Sequence, residues 1–402
     1  MQALSPAIKQ YLVVTGNYWA FTLTDGALRM LVVLHFHQLG YSPLAIASLF
    51  LFYEFFGVVT NLFGGWLGAR LGLNRTMNIG LGMQVFALLM LTVPADMLTV
   101  VWVMAAQALS GIAKDLNKMS AKSSIKLLVP ENADSTLYKW VALLTGSKNT
   151  LKGAGFFMGG GLLTLMGFKY ALVTMASVLA VVWISSLILL KKDLGKAKNK
   201  PKFKDIFSKS RAINILSAAR LFLFASRDVW FVIALPVFLS QQFHWNFWQV
   251  GGFLASWIIA YGMVQAIAPR ITQRGDHPPG GLAATGWAAA LAIVPATIAI
   301  GFSLQWPMAI TLLGGLMVFG FIFAINSSLH SFLIVRYAGR DGVSLDVGFY
   351  YMANAMGRLA GTLLSGWLFQ AYGLIACLWV SAAFIAATAA MSIALIPGKN
   401  TR

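Results

Sequence analysis

Long apolar runs separated by short polar ones organise this chain. A helix that spans a bilayer needs about 20 mainly apolar residues. Twelve stretches meet that requirement: 11–36, 44–69, 77–94, 98–119, 137–166, 168–190, 212–239, 248–268, 282–302, 307–335, 346–370 and 374–396. Pro and Gly punctuation sets the bounds of the third, fourth and ninth. Lys9 is the only charge ahead of the first run, and no small-residue cleavage site follows it. The first helix is therefore expected to be an uncleaved insertion signal. The pattern predicts an all-α polytopic membrane protein with twelve transmembrane helices.

The polar connections alternate in charge. Arg70 and Arg75, Lys122 and Lys126, a long basic run, Arg270 and Arg274, and Arg336 and Arg340 fall on one side; Lys169 is the only Lys or Arg on the other. This positive-inside pattern predicts that both termini are cytoplasmic. The run Lys191–Arg211 carries nine basic and two acidic residues and separates six spans from six. It predicts bundles at 1–192 and 212–402 joined by a basic cytoplasmic linker at 193–211. The linker reads as an orientation-setting connection or as an attractor of anionic substrate or lipid.

Composition agrees with the spans. Of the 402 residues 58% are hydrophobic and 10% charged, against about 25% charged in a soluble domain. The net charge of +18 would suggest nucleic acid in a soluble protein. Here loop orientation accounts for most of it, and no nucleic-acid partner is expected. The lone Cys377 excludes a disulfide framework. His35, His37, His244, His277 and His330 show no metal-ligand spacing. No nucleophile–base set and no phosphate-binding loop can be placed. Neither catalysis nor a metal or cofactor is expected, and the energy for any transport must come from gradients or a partner subunit.

Two six-span halves around a charged linker describe the major facilitator architecture, two pseudo-symmetric six-helix bundles. The segment GGWLGARLGLNRT, Gly64 to Thr76, resembles the loop of that family between its second and third helices. Gly65, Arg70, Gly72 and Arg75 match its gating pattern, while Ala69 stands where the family usually has Asp. Three longer segments, Gly16–Gly40, Tyr53–Asn78 and Ala108–Glu131, resemble the bacterial organoarsenical efflux permeases. That resemblance implies export of 1-arseno-3-phosphoglycerate across the bacterial inner membrane, conferring arsenate resistance. It also implies functional pairing with glyceraldehyde-3-phosphate dehydrogenase, which forms that compound when arsenate replaces phosphate.

Charges inside the spans give an independent reading. Each costs about 2.5–3.5 kcal/mol at a helix centre and marks a pathway by default. The basic set is Arg29, Lys148, Lys152, Arg220, Arg227 and Arg358; the acidic set is Asp25, Glu54 and Asp228. The basic excess predicts an anionic substrate. Lys148 and Lys152 share one helix face, about 16 Å into the bilayer at about 1.5 Å per residue. They would hold an anion or pair with a carboxylate of another span. Arg358 suits bidentate phosphate or arsenate, with Tyr351 and Asn354 on its face. It reads as a substrate contact or as an ion pair across the halves. Arg227 lies deeper than Arg220, which is placed to snorkel to the boundary.

Asp25 and Arg29 have the spacing of an intrahelical ion pair. Asp25 and Glu54 are also candidate proton carriers, with Asp228 a third; adjacency to Arg227 predicts different helix faces for those two. Lys114, Lys118, Lys122 and Lys126 read as interfacial anchors or as an anion funnel. Asn326, Ser327, Ser328 and His330 read as cavity lining or helix packing. The expectation is a secondary exporter of an organic arsenate or phosphate anion. Alternatives are an exchanger of ordinary phosphorylated anions and a membrane-embedded enzyme acting on anionic lipid.

Overall fold

The computed structural model describes residues 5–41, 46, 49–190, 194–198, 201–202, 210–273, 275 and 277–396. Much of the basic linker (191–193, 199–200 and 203–209) and Arg274 lie outside the described residues. Every regular element among those described is helical. They are α1 (Pro6–Gln38), α2 (Leu51–Leu71), α3 (Leu73–Met90), α4 (Val100–Leu128), α5 (Asp134–Leu189), α6 (Arg211–Phe231), α7 (Ala234–Gln242), α8 (Phe247–Thr272), α9 (Gly281–Ser303), α10 (Met308–Tyr337) and α11 (Val343–Ile393).

Local chemistry sets the ends and breaks. Ser5 caps α1, accepting from the Ile8 backbone N–H, with Pro6 in the first turn. Asn246 and Gln249 form a reciprocal capping box on α8. The helices α5 and α11 each contain one residue outside helical geometry, Gly167 (φ 74°) and Gly373 (φ 75°). A side chain would clash in that conformation, so glycine takes it. Each of these long helices is thus two crossing segments, as the expected spans have it. The expected span 212–239 divides into α6 and α7. Pro236 explains the break, since it has no N–H to offer the Val232 carbonyl and its ring crowds that group. The buried N–H of Ala234, at the start of α7, donates to Ser365 Oγ at 3.1 Å. With α6 and α7 taken as one crossing, twelve segments of membrane-spanning kind are present among the described residues.

Two compact units emerge. The first comprises 1–133, 147–208 and 338–352; the second comprises 134–146, 209–337 and 353–402. In the first unit, glycines let α1 and α5 touch backbone to backbone. A Cβ on Gly26 would lie 2.6 Å from the Lys152 carbonyl oxygen, and one on Gly155 2.6 Å from that of Leu23. In the second unit Gly361 does the same for α6 and α11, where a Cβ would lie 2.7 Å from the Ala225 carbonyl oxygen. These approaches set the charged side chains described next against one another. The second unit's core is an aromatic stack in which Trp230 meets Phe319 at 4.9 Å and Trp257 lies parallel to Tyr261.

Candidate functional site

The first unit gathers its charges around Tyr53, which is fully buried. Its hydroxyl donates to Asp25, with both carboxylate oxygens in reach at 2.8 and 3.1 Å. The guanidinium of Arg29 and the ammonium of Lys114 each lie 3.8 Å from the centre of its ring. At that distance the ring face attracts a cation. Arg29 donates to Glu54 at 3.0 Å, and Lys118 to Asp115 at 2.6 Å. Asp115 also attracts Lys114, 3.9 Å away. Lys118 and Lys122 approach the ring of Tyr351 at 4.6 and 5.6 Å. Lys152 lies in the same electrostatic field, interacting with Arg29, Asp25, Lys148 and Lys114.

Four expectations change here. The partner of Arg29 is Glu54, a second carboxylate that α2 places 3.0 Å from the guanidinium; Asp25 turns to Tyr53. Lys118 and Lys122 are buried within α4, 8% and 2% exposed, so they are not interfacial anchors. Nor is Lys122 a loop charge, because α4 continues to Leu128. Its Ser and Ala residues after Lys118 are small enough to let neighbouring helices cover the lysines. Tyr351 and Asn354, expected together beside Arg358, separate: Tyr351 faces the lysines and Asn354 faces Arg220.

The second unit holds an arginine cluster on a single carboxylate. Asp228 is fully buried and accepts from Arg227 Nε at 2.6 Å and from Arg358 Nε at 3.1 Å. The expectation that Arg227 and Asp228 diverge is overturned, since a long guanidinium side chain can bend back around the helix to its neighbour. Arg220 does not snorkel outward. It is 3% exposed and donates to Asn354 Oδ1 at 2.9 Å and to the Ser327 carbonyl and hydroxyl, each at 3.2 Å. Its guanidinium stacks 4.0 Å from the Phe224 ring centre. Asn326, Ser327, Ser328 and His330 are all buried on α10.

The gating-loop residues lie at the end of α2 and the start of α3, in the first unit. Gly72 has φ 99° and ends α2. The Gly65 carbonyl accepts from Ser344 Oγ at 2.7 Å. Arg70 and Arg75 are exposed, and Arg70 stacks 5.1 Å from the Trp66 ring. Ala69, where Asp was expected by resemblance, uses its carbonyl to accept from the Ala197 N–H at 2.8 Å.

Tyr53 and Asp115 were not among the expected site residues, and Lys114, Lys118 and Lys122 were expected only as interfacial anchors or an anion funnel. The usable signal was the lysine spacing of four in an unbroken helix with an acid at Asp115. With them counted, the two clusters hold nine basic and four acidic side chains, buried or half-buried, a larger excess than the sequence suggested. Such an arrangement can bind an anion, and its buried carboxylates can exchange protons or cation partners.

Helices of bilayer length, with charges buried inside them, define a polytopic membrane transporter. The chain belongs to the Major Facilitator Superfamily, whose model matches residues 11–340. It is similar in fold to the human organic anion transporter MFSD10 (TETRAN), at 18% identity and TM-score 0.75 over 97% of this chain and 100% of that one. A bacterial homologue of the iron transporter ferroportin matches at 13% and 0.76, over 98% and 99%. The proton:xylose symporter XylE matches at 13% and 0.73, over 97% and 96%. Comparison with curated protein sequences returned no match.

Proposed function

We propose that this transporter is a secondary active exporter of a multiply charged organic arsenate or phosphate anion. The carrying observation is the excess of nine basic over four acidic side chains, buried or half-buried, in the two clusters. A cationic drug would be repelled by that excess, whereas an anion offsets it. The particular substrate we infer is 1-arseno-3-phosphoglycerate. It rests on the resemblance of the three N-terminal segments to the organoarsenical permeases. The described role of MFSD10 as an organic anion transporter is in keeping with the substrate class.

In this reading residues 1–192 and 212–402 are the two moving bundles of an alternating-access cycle, with both termini in the cytoplasm of a bacterium. Arg29, Lys148 and Lys152, joined by Lys114, receive one anionic group. Arg227, Arg358, Tyr351 and Asn354 are the further substrate contacts. Glu54 holds Arg29 at rest, and protonation of Glu54 or Asp25 frees positive charge for substrate. Asp228 performs the same office for Arg227 and Arg358. Proton entry is thereby coupled to anion exit.

The test is uptake into everted membrane vesicles of 1-arseno-3-phosphoglycerate generated enzymatically. Uptake driven by an imposed pH gradient and abolished by a protonophore is expected. Competition by 3-phosphoglycerate equal to that of the arsenylated compound would favour an exchanger of ordinary phosphorylated anions. Transport of neither compound overturns the proposal.

A further inference from the structure

Near the membrane boundary where α5 begins and α8 ends, the second unit has a cavity of about 550 Å³ lined by Lys139, Ala266, Pro269, Arg270, Gln273 and Gly275. The two helices are locked antiparallel around it. Ser135 bonds Gln273, Tyr138 Oη lies 2.8 Å from Thr272 Oγ1, and Gly146 meets the backbone of Gly262 and Ala266. Lys139 and Arg270 are exposed, and neither forms an ion pair among the described residues. The buried clusters use neither residue.

Apolar side chains continue from these two cations into the membrane. Leu143 lies one helical turn beyond Lys139 on the same face. Ile267 and Met263 lie one and two turns before Arg270 on its face. All three are open, at 43%, 43% and 59% exposure. A soluble anion has no use for such a stripe; an acyl chain does. Two cations at headgroup depth with apolar surface running inward match the two ends of one molecule.

We propose that this cavity binds the phosphate headgroup of an anionic phospholipid. Lys139 and Arg270 take the phosphate, Gln273, fixed by Ser135, lies beside the headgroup, and the acyl chains follow Leu143, Ile267 and Met263. Because α5 and α8 both contribute, the lipid joins the start of one to the end of the other. The site rests on the membrane fold alone and is independent of the exported substrate.

The test uses the full-length protein in nanodiscs of mixed phosphatidylglycerol and phosphatidylcholine, re-extracted mildly, with retained lipid counted by mass spectrometry. The wild type is expected to retain phosphatidylglycerol selectively. Selectivity should fall about fivefold for each charge removed in Lys139→Ala and Arg270→Ala, since a basic residue at the surface is worth about 1 kcal/mol. Lys139→Arg should keep it, and so should Arg211→Ala, an exposed charge elsewhere. Excess inorganic phosphate should leave the retained lipid in place. Equal retention of both lipids by the wild type, unchanged selectivity in the double variant, or displacement by phosphate overturns the site. Should the double variant not fold, a photoreactive phosphatidylglycerol on the wild type decides. Labelling of 139–143 and 263–271 supports the site, and labelling confined elsewhere overturns it.

Discussion

The two buried clusters solve the same electrostatic problem differently. In the first unit Arg29 and five lysines, Lys114, Lys118, Lys122, Lys148 and Lys152, share Asp25, Glu54 and Asp115. In the second unit Arg227 and Arg358 occupy both oxygens of Asp228, and Arg220 is held by the neutral acceptors Asn354 and Ser327. The lysines are flexible point charges in excess over their carboxylates. The arginines are planar and fixed by directional bonds, and Arg220 and Arg227 also stack on rings. The contrast suggests that the first cluster is open to an incoming anion, while the second is a clamp whose integrity depends on one carboxylate.

The sharpest way to break this contrast is at Asp228. Asp228→Asn leaves two guanidinium groups without their charge partner in a buried site. Losing one side of such a pair costs about 3–5 kcal/mol. The expected outcome is a marked fall in the amount and melting temperature of the purified transporter. Asp25→Asn should act differently. Its principal partner is the neutral Tyr53 hydroxyl, and an amide oxygen still accepts that bond. Protein levels should hold, while the dependence of transport on the pH gradient changes. Equal loss of folded protein in the two variants would dissolve the distinction between clamp and open cluster.

Next in size come Lys148 and Lys152. A hydrogen bond to a charged group is worth about 1.5–3 kcal/mol, so each alanine variant should lower anion uptake by roughly tenfold or more. Membrane levels should remain normal, because these lysines are half-buried and in excess over acids. Vesicle uptake normalised to transporter content checks this. Full activity in both variants removes the first cluster as the anion site.

The ring and hydroxyl of Tyr53 can be separated. Tyr53→Phe keeps the face on which Arg29 and Lys114 rest and removes the bond to Asp25. A net hydrogen bond is worth about 0.5–1.5 kcal/mol, so transport should fall about fivefold, with a shifted pH profile. Tyr53→Leu also removes the ring face and should fall further. Identical profiles for the two variants would mean that the hydroxyl alone matters.

The span pattern of the sequence translated directly into helices, because hydropathy is a property of each segment by itself. The breaks at Gly167 and Gly373 were legible for the same reason. The break near Val232 was not, since its cause, Pro236, sits inside an otherwise continuous apolar run. Side-chain partners were less legible still. Asp25 and Arg29 are correctly spaced for each other, yet Glu54, presented by α2, takes Arg29 in place of the local partner. The lysines of α4 looked interfacial because burial of Lys122 depends on which helices cover it, information that spacing does not carry. Arg227 and Asp228 show the limit of face arguments, because a guanidinium on a long flexible stem is not confined to the face of its own Cα.

The smallest expected effect tests the comparison from outside both clusters. By resemblance, Arg70 belongs to a gating loop and its loss should impair transport. By geometry it is exposed and stacks on Trp66 with no carboxylate among its described contacts. The close contact in that loop is made instead by Gly65, where a Cβ would lie 2.5 Å from the Ser344 carbonyl oxygen. Surface substitutions away from special features usually change stability by less than about 0.5 kcal/mol. Arg70→Ala should therefore leave uptake within about twofold of wild type by the same measure. Retained uptake would place the informative positive charge in the buried clusters. A loss as large as that of Lys152→Ala would show that exposed charge in this loop governs the cycle, and that burial alone does not separate the charges that matter from those that do not.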